Sequence, residues 1–389
     1  YKRQFKTYKM NDMKGKQGLV CMGLLLVLSS CHTGKQITAS GLQRKDFQTE
    51  VNGQHTDLFT LSNKQGMEVC ITNYGARVVS ILVPDRNGKR EDVVCGFSTI
   101  TEYMEQRQNF GSTVGRYIGR ILNARFTLDG VEYKLVPNNG KSGHISHGGN
   151  PGFADRIWKV EQADTHRACL SYLSPDGENG FPGNLKVTLV YSLGEDDNAL
   201  DLTYEATTDA PTVLNLSHHS FFNISGNFTK SVEDQQLWVD ADRFTPYDDK
   251  KCVTGEYLPV AGTPLDFRMP HAIGECIDAD HPQLKVVNGY DHTWELNTKG
   301  DDTRPAAWVY DPASGRKMEI FTTEPGMQIY TGNGLKGKMT GKRGIAYPFR
   351  SAVCFETMHF QDSPNQPGFP STVLLSLIHI SEPTRLRRI

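Results

Sequence analysis

Arg125-Phe126-Thr127-Leu128-Asp129-Gly130-Val131-Glu132-Tyr133-Lys134-Leu135 alternates apolar and polar residues on both sides of an Asp-Gly pair. A period of two marks a strand, and Asp-Gly favours the two-residue, positive-φ turn that joins antiparallel neighbours. The stretch predicts a β-hairpin. Outward from it, Leu185, Val187, Leu189 and Tyr191 repeat the period, as do Leu200, Leu202 and Tyr204. Turn clusters such as Pro84-Asp85-Arg86-Asn87-Gly88 and Ser174-Pro175-Asp176-Gly177-Glu178-Asn179-Gly180 separate such runs. Helical character is confined to Thr101 to Gln106. Strands at short spacing without crossover helices predict an all-β fold, a large antiparallel β-sandwich, rather than a parallel sheet. No linker and no repeat divides the middle of the chain, so a single β-sandwich domain is expected over 46–374.

Both ends read differently. Met13 is followed by Lys14 and Lys16, then by the apolar run Leu19 to Leu28, which closes on Leu28-Ser29-Ser30-Cys31. A basic start and a short apolar stretch describe an export signal, too short to span a bilayer as a helix. Its closing box resembles that of bacterial lipoproteins, which implies a signal peptide at 13–30 and lipidation of Cys31. Residues 1–12 are then expected to be non-native upstream sequence, and 31–45 a polar linker. Residues 375–389 show neither strand alternation nor helix caps, and a non-native tail outside the fold is expected there. The expected location is the bacterial cell envelope, periplasmic or outer-membrane, with the membrane touched only through the lipid anchor.

The chain has 389 residues, 38% hydrophobic and 22% charged, with a formal net charge of -2. No basic stripe is available to displace counterions from phosphates, so nucleic acid is not an expected partner. Of eight cysteines, six remain beyond Cys31, and none are spaced as a zinc or thioredoxin-type pair. Scattered thiols are expected, although export permits disulfides.

Two segments carry the chemistry. Ser217-His218-His219-Ser220-Phe221-Phe222-Asn223 offers an imidazole where an apolar strand turns polar. Cys354-Phe355-Glu356-Thr357-Met358-His359-Phe360 offers a carboxylate in an apolar strand. Imidazole and carboxylate are the commonest proton carriers near neutral pH. Val353 and Phe355 flank Glu356 at alternate positions, so Glu356 faces the other side of its sheet, where burial would raise its pKa. Arg120, His147, Asp291 and Gln328 sit in or beside Gly-containing turns. Together they supply a cation, an imidazole, an anion and an amide, the groups needed to hold several hydroxyls of a sugar.

In order along 46 to about 374, these segments resemble the aldose 1-epimerase (galactose mutarotase) family. The resemblance runs through Gly115 to Gly149, Ser174 to Gly183 and the His219 strand. It continues through Ala241-Asp242-Arg243-Phe244-Thr245-Pro246, Ala261 to Phe267, Gly289-Tyr290-Asp291-His292, the Gln328 segment, and Glu356 through Pro364-Asn365. It implies a galactose mutarotase-like supersandwich that interconverts α and β anomers of hexoses such as glucose and galactose. Glu356 would be the general base on the anomeric hydroxyl and His219 the general acid on the ring oxygen. Arg120, His147, Asp291 and Gln328 would contact the substrate. The chemistry requires no cofactor and no metal; some relatives carry calcium, but no loop here has diagnostic ligand spacing. A monomer is expected.

The chain departs from the family at three points: Gly119 precedes Arg120 where Asn is common, His218 stands where Asn is frequent, and Met358 where Gln is. Two other readings compete. A glycoside hydrolase would use Asp291 and Glu356 as paired carboxylates. A lipid-anchored carbohydrate-binding protein would hold sugar without turnover.

Overall fold

The computed structural model describes residues 36–376 and 380–387. Cys31 and the 13–30 signal lie outside the described residues. The hairpin forms as expected, Arg125–Leu128 pairing with Val131–Lys134 in a register that puts Leu128 opposite Val131. Asp129 and Gly130 take φ of 50° and 77°, the left-handed pair that such a turn demands. The single expected helix spans Ile100–Gln106, started by a capping box between Thr99 and Glu102. A second short helix, Pro282–Val287, has Pro at its start and His281 as its cap.

Nine strands make the larger sheet, in the order Lys159–Ala163, Arg167–Ser174, Leu185–Leu193, Leu200–Thr208, Ile380–Arg387, Lys317–Thr322, Ala307–Tyr310, Gln236–Val239 and His271–Ala272. A six-stranded sheet runs Phe221–Phe222, Val353–Met358, Gly326–Tyr330, Asp291–Glu295, Arg243–Thr245 and Leu258–Pro259, and a four-stranded sheet lies before it in the chain. All pairings in these sheets are antiparallel.

One apolar core joins the sheets. Val187, Leu189, Leu202, Val309 and Ile320 from the larger sheet pack in one cluster with Trp294, Ile329, Val353 and Phe355 from the smaller. The period-two residues of Leu185–Leu193 are the buried ones, as the alternation predicts. Leu189, fully buried, stands between Leu170 and Tyr204 on its two neighbours. Leu189→Ala should therefore cost about 2–5 kcal/mol, the range for emptying a packed leucine site. Urea unfolding should show a lower midpoint at unchanged slope; an unchanged midpoint would refute the placement.

Two expectations at the domain edges change. Residues 36–45, expected as linker, are packed: Leu42 is buried, and the amides of Ala39 and Ser40 donate to the Glu68 carboxylate. The tail, expected to lack strand structure, forms Ile380–Arg387 between Leu200–Thr208 and Lys317–Thr322. Unpaired backbone on those two strands is satisfied by another strand whatever its side-chain pattern. Neither Leu200–Thr208 nor Lys317–Thr322 is therefore a sheet edge on that side.

Candidate active site

Register brings the imidazole to the carboxylate. In the six-stranded sheet Phe221 pairs with Cys354 and Phe222 with Val353. Carried two residues further, that antiparallel register sets His219 opposite Glu356. The chain leaves the sheet there, and Ser217–His219 pairs instead with Ser112–Val114. On the other side Gln328 pairs with Glu356, and Thr293 with Gln328. His219, Glu356, Gln328 and Thr293 therefore form one row across the sheet, on the face opposite the Val353 and Phe355 core. Every residue of Val353–Met358 is buried.

His219 Nε2 lies 3.2 Å from Glu356 Oε1, with both side chains nearly inaccessible. Burial pushes the Glu356 carboxyl well above its ordinary range, and the Asp291 charge adds to this. Burial pushes His219 well below its ordinary value, helped by the neighbouring His147. On its other edge the His219 ring has Cys354 Sγ 3.6 Å from Nδ1, and Phe221 stacks on it at 5.0 Å. Burial raises the Cys354 pKa far above neutrality, so a neutral thiol rather than a thiolate faces Nδ1.

Arg120 and His147 come from a separate two-stranded sheet in which Arg120 pairs with Ser146. His147 follows at φ 53°, and Gly148 at 78° lets the loop pass so near Gly115 that any Cβ would meet its carbonyl oxygen. His147 Nδ1 accepts from the Gly119 amide at 3.4 Å, so the neutral ring carries its hydrogen on Nε2. It is neutral at pH 7, since burial and then Arg120 push it down to about 4. Asp291 accepts from Gln328 Nε2 at 2.7 Å. Burial raises its pKa, against the opposing pull of Arg120 and Gln328.

All six expected site residues within the described chain (Glu356, His219, Arg120, His147, Asp291 and Gln328) line one cleft of about 260 Å³. It falls just under the roughly 300–1,000 Å³ of drug-sized pockets, a size suited to one small polar molecule. Gln108, Asn109, Phe221, Tyr330 and Gln361 also line it and were not singled out from sequence. Tyr330 had a readable signal, two residues beyond Gln328 and so on the same strand face. Gln361 lies in the turn after the Glu356 strand, where no period applies. Of the three departures, Gly119 and Met358 line the cleft, whereas His218 points away to Ser220 and Tyr191. Among the described residues, the one group with metal-ligand character is His219, Cys354 and Glu356, whose ligand atoms lie within 4.8 Å. Two of its three donors are not oxygen, so it does not suit calcium. The imidazole also turns different nitrogens to its two partners, which is a hydrogen-bonding arrangement.

Comparison with known proteins points to one family. The family model described as aldose 1-epimerase matches residues 57–376. Galactose mutarotase of Sus scrofa is 39% identical over 316 residues, covering 81% of this chain and 89% of the relative. Aldose 1-epimerase of Escherichia coli is 36% identical over 320 residues, covering 82% and 90%. Among solved structures, an aldose epimerase homologue from C. elegans superposes with a TM-score of 0.78 at 29% identity, covering 85% of this chain and 98% of its own. Galactose 1-epimerase from Lactobacillus acidophilus superposes at 0.76 and 27% identity, covering 87% and 96%.

Proposed function

The chain belongs to the aldose 1-epimerase family, and from that premise we propose that it interconverts the α and β anomers of hexoses such as glucose and galactose by proton transfer between Glu356 and His219. The observation that carries the reading is the buried contact of 3.2 Å between the two groups in a sugar-sized cleft. The pair shares one transferable proton, and the form that reacts holds it on the ring, an imidazolium beside a carboxylate. Glu356 takes the proton of the anomeric hydroxyl while His219 Nε2–H gives one to the ring oxygen. The C1–O5 bond breaks and C1 becomes a free aldehyde. After rotation about C1–C2, the O5 hydroxyl returns its proton to His219 as O5 attacks the other carbonyl face, and Glu356 reprotonates O1. Each transfer by a positioned group contributes ~10²–10⁴-fold. Arg120, neutral His147 and Asp291, the last aimed by Gln328, hold the hydroxyls so that both transfers reach the right atoms.

Polarimetry of freshly dissolved α-glucose and α-galactose tests the reading. Optical relaxation should accelerate in proportion to enzyme. Relaxation at the spontaneous rate despite sugar binding would favour the non-catalytic carbohydrate-binding reading, and cleavage of a disaccharide the hydrolase reading.

The pH profile should be bell-shaped with a broad top. On the acid side the pair takes up a second proton and no base remains; on the alkaline side it loses its one proton and no acid remains. His219 is lowered, so the acid limb should lie below the ordinary imidazole range of about 6.5. Glu356 is raised, so the alkaline limb should lie above the ordinary carboxylate range of about 4.3. A rate that climbs through 6.5 on a single imidazole limb would contradict the pairing. The proposal includes export: the basic-then-apolar start ending at Cys31 supports a lipid-anchored enzyme of the cell envelope. Palmitate labelling that survives Cys31→Ala would exclude it.

A further inference from the structure

We infer that Gln361 is a sugar-binding residue of this chain, a carboxamide seated over Gly119 that offers its side-chain oxygen to a substrate hydroxyl and holds the Gln328–Asp291 pair in place. The inference rests on the functional reading above and deepens it.

Gln361 lies in the turn that follows the Glu356 strand, and that turn is docked on the Arg120 strand. The Asp362 amide donates to Arg120 O at 2.8 Å, and Asp362 Oδ1 accepts from the Leu122 amide at 2.9 Å. The side chain then crosses Gly119, where an added Cβ would stand 2.5 Å from Gln361 Cγ. Glycine at 119 is what makes room. At 4% exposure Gln361 is buried, yet it lines the cleft.

The orientation of its amide follows from partners that have no choice of role. The Arg120 backbone N–H, at 3.3 Å, can only donate, so Oε1 faces it. Nε2 then donates to Tyr247 Oη at 2.7 Å and to Gln328 Oε1 at 3.3 Å. Gln328 is fully engaged: its oxygen also accepts from Thr293 Oγ1 at 2.5 Å, and its nitrogen donates to Asp291 at 2.7 Å and Tyr247 at 3.5 Å. All of its donor and acceptor capacity serves protein groups, so its effect is to aim Asp291. Gln361 Oε1 has one partner and room for a second, an acceptor suited to a hydroxyl hydrogen.

The test uses the full chain and two near-isosteric variants, Gln361→Leu and Gln361→Glu. Leu removes all polar function; Glu keeps the volume and oxygen but cannot donate to Tyr247 or Gln328. KM is read by polarimetry, and Kd by calorimetry with galactose at anomeric equilibrium. Both variants should raise KM and Kd about tenfold, with kcat within about threefold, as expected for a lost buried hydrogen-bonding group that serves binding. A residue that only fills space would leave the Glu variant like wild type, and that result overturns the inference. So does a fall in kcat at unchanged KM. Wild-type protein without rate acceleration would sink the catalytic reading alone, since the Kd comparison still decides the role of Gln361. Wild-type protein that binds neither sugar would overturn both.

Discussion

Glu356→Gln should abolish most turnover while leaving sugar binding nearly intact. Glutamine keeps the volume of a fully enclosed side chain and still reaches the His219 ring, so packing changes little. It has no acid–base function, and the anomeric hydroxyl then has no acceptor for its proton. The expected loss is ~10²–10⁴-fold in kcat with KM within about threefold, the signature of an interaction used only in the transition state. Single-turnover NMR with α-galactose measures it directly. A variant with near-full rate would remove Glu356 from the mechanism.

His219→Asn should be at least as damaging, for a reason specific to this pair. Losing the imidazole removes the acid, and it also removes the cation that can stabilise an ionised Glu356. The carboxyl is already raised by burial and by Asp291, so without its partner it becomes more firmly protonated and ceases to be a base. One substitution thus disables both steps. The double variant should then be little worse than His219→Asn alone, because residues that act as a unit are not additive. Residual activity of His219→Asn should rise with pH as Glu356 ionises. Additive losses, or a residual rate that falls with pH, would show that the two groups work independently.

Gln328 shows how far a correct expectation can still mislead in detail. Its place in the cleft was legible from the resemblance, yet its hydrogen-bonding capacity is spent on Thr293, Asp291, Tyr247 and Gln361. Such commitments depend on distances between strands far apart in the chain. Gln361 was hidden for the same reason: it follows a readable strand but acts from a turn, through a gap that only the placement of Gly119 opens. The Ile380–Arg387 strand was missed because its pairing satisfies backbone groups of its neighbours, a demand that leaves no mark on its own side chains.

Alternation in Arg125–Leu135, Leu185–Tyr191 and Leu200–Tyr204 was enough to determine a β architecture, since side chains on a pleated strand point to opposite faces by local geometry alone. The chemistry of Glu356 and His219 was likewise written in their residue types and flanking apolar positions. Their meeting was not. It depends on the register of Phe221 with Cys354, which lets His219 and Glu356 face each other across one strand gap at the buried floor of the cleft. Burial then moves the two proton affinities in opposite directions, and burial is a property of what packs around a residue, which no local stretch of chain contains.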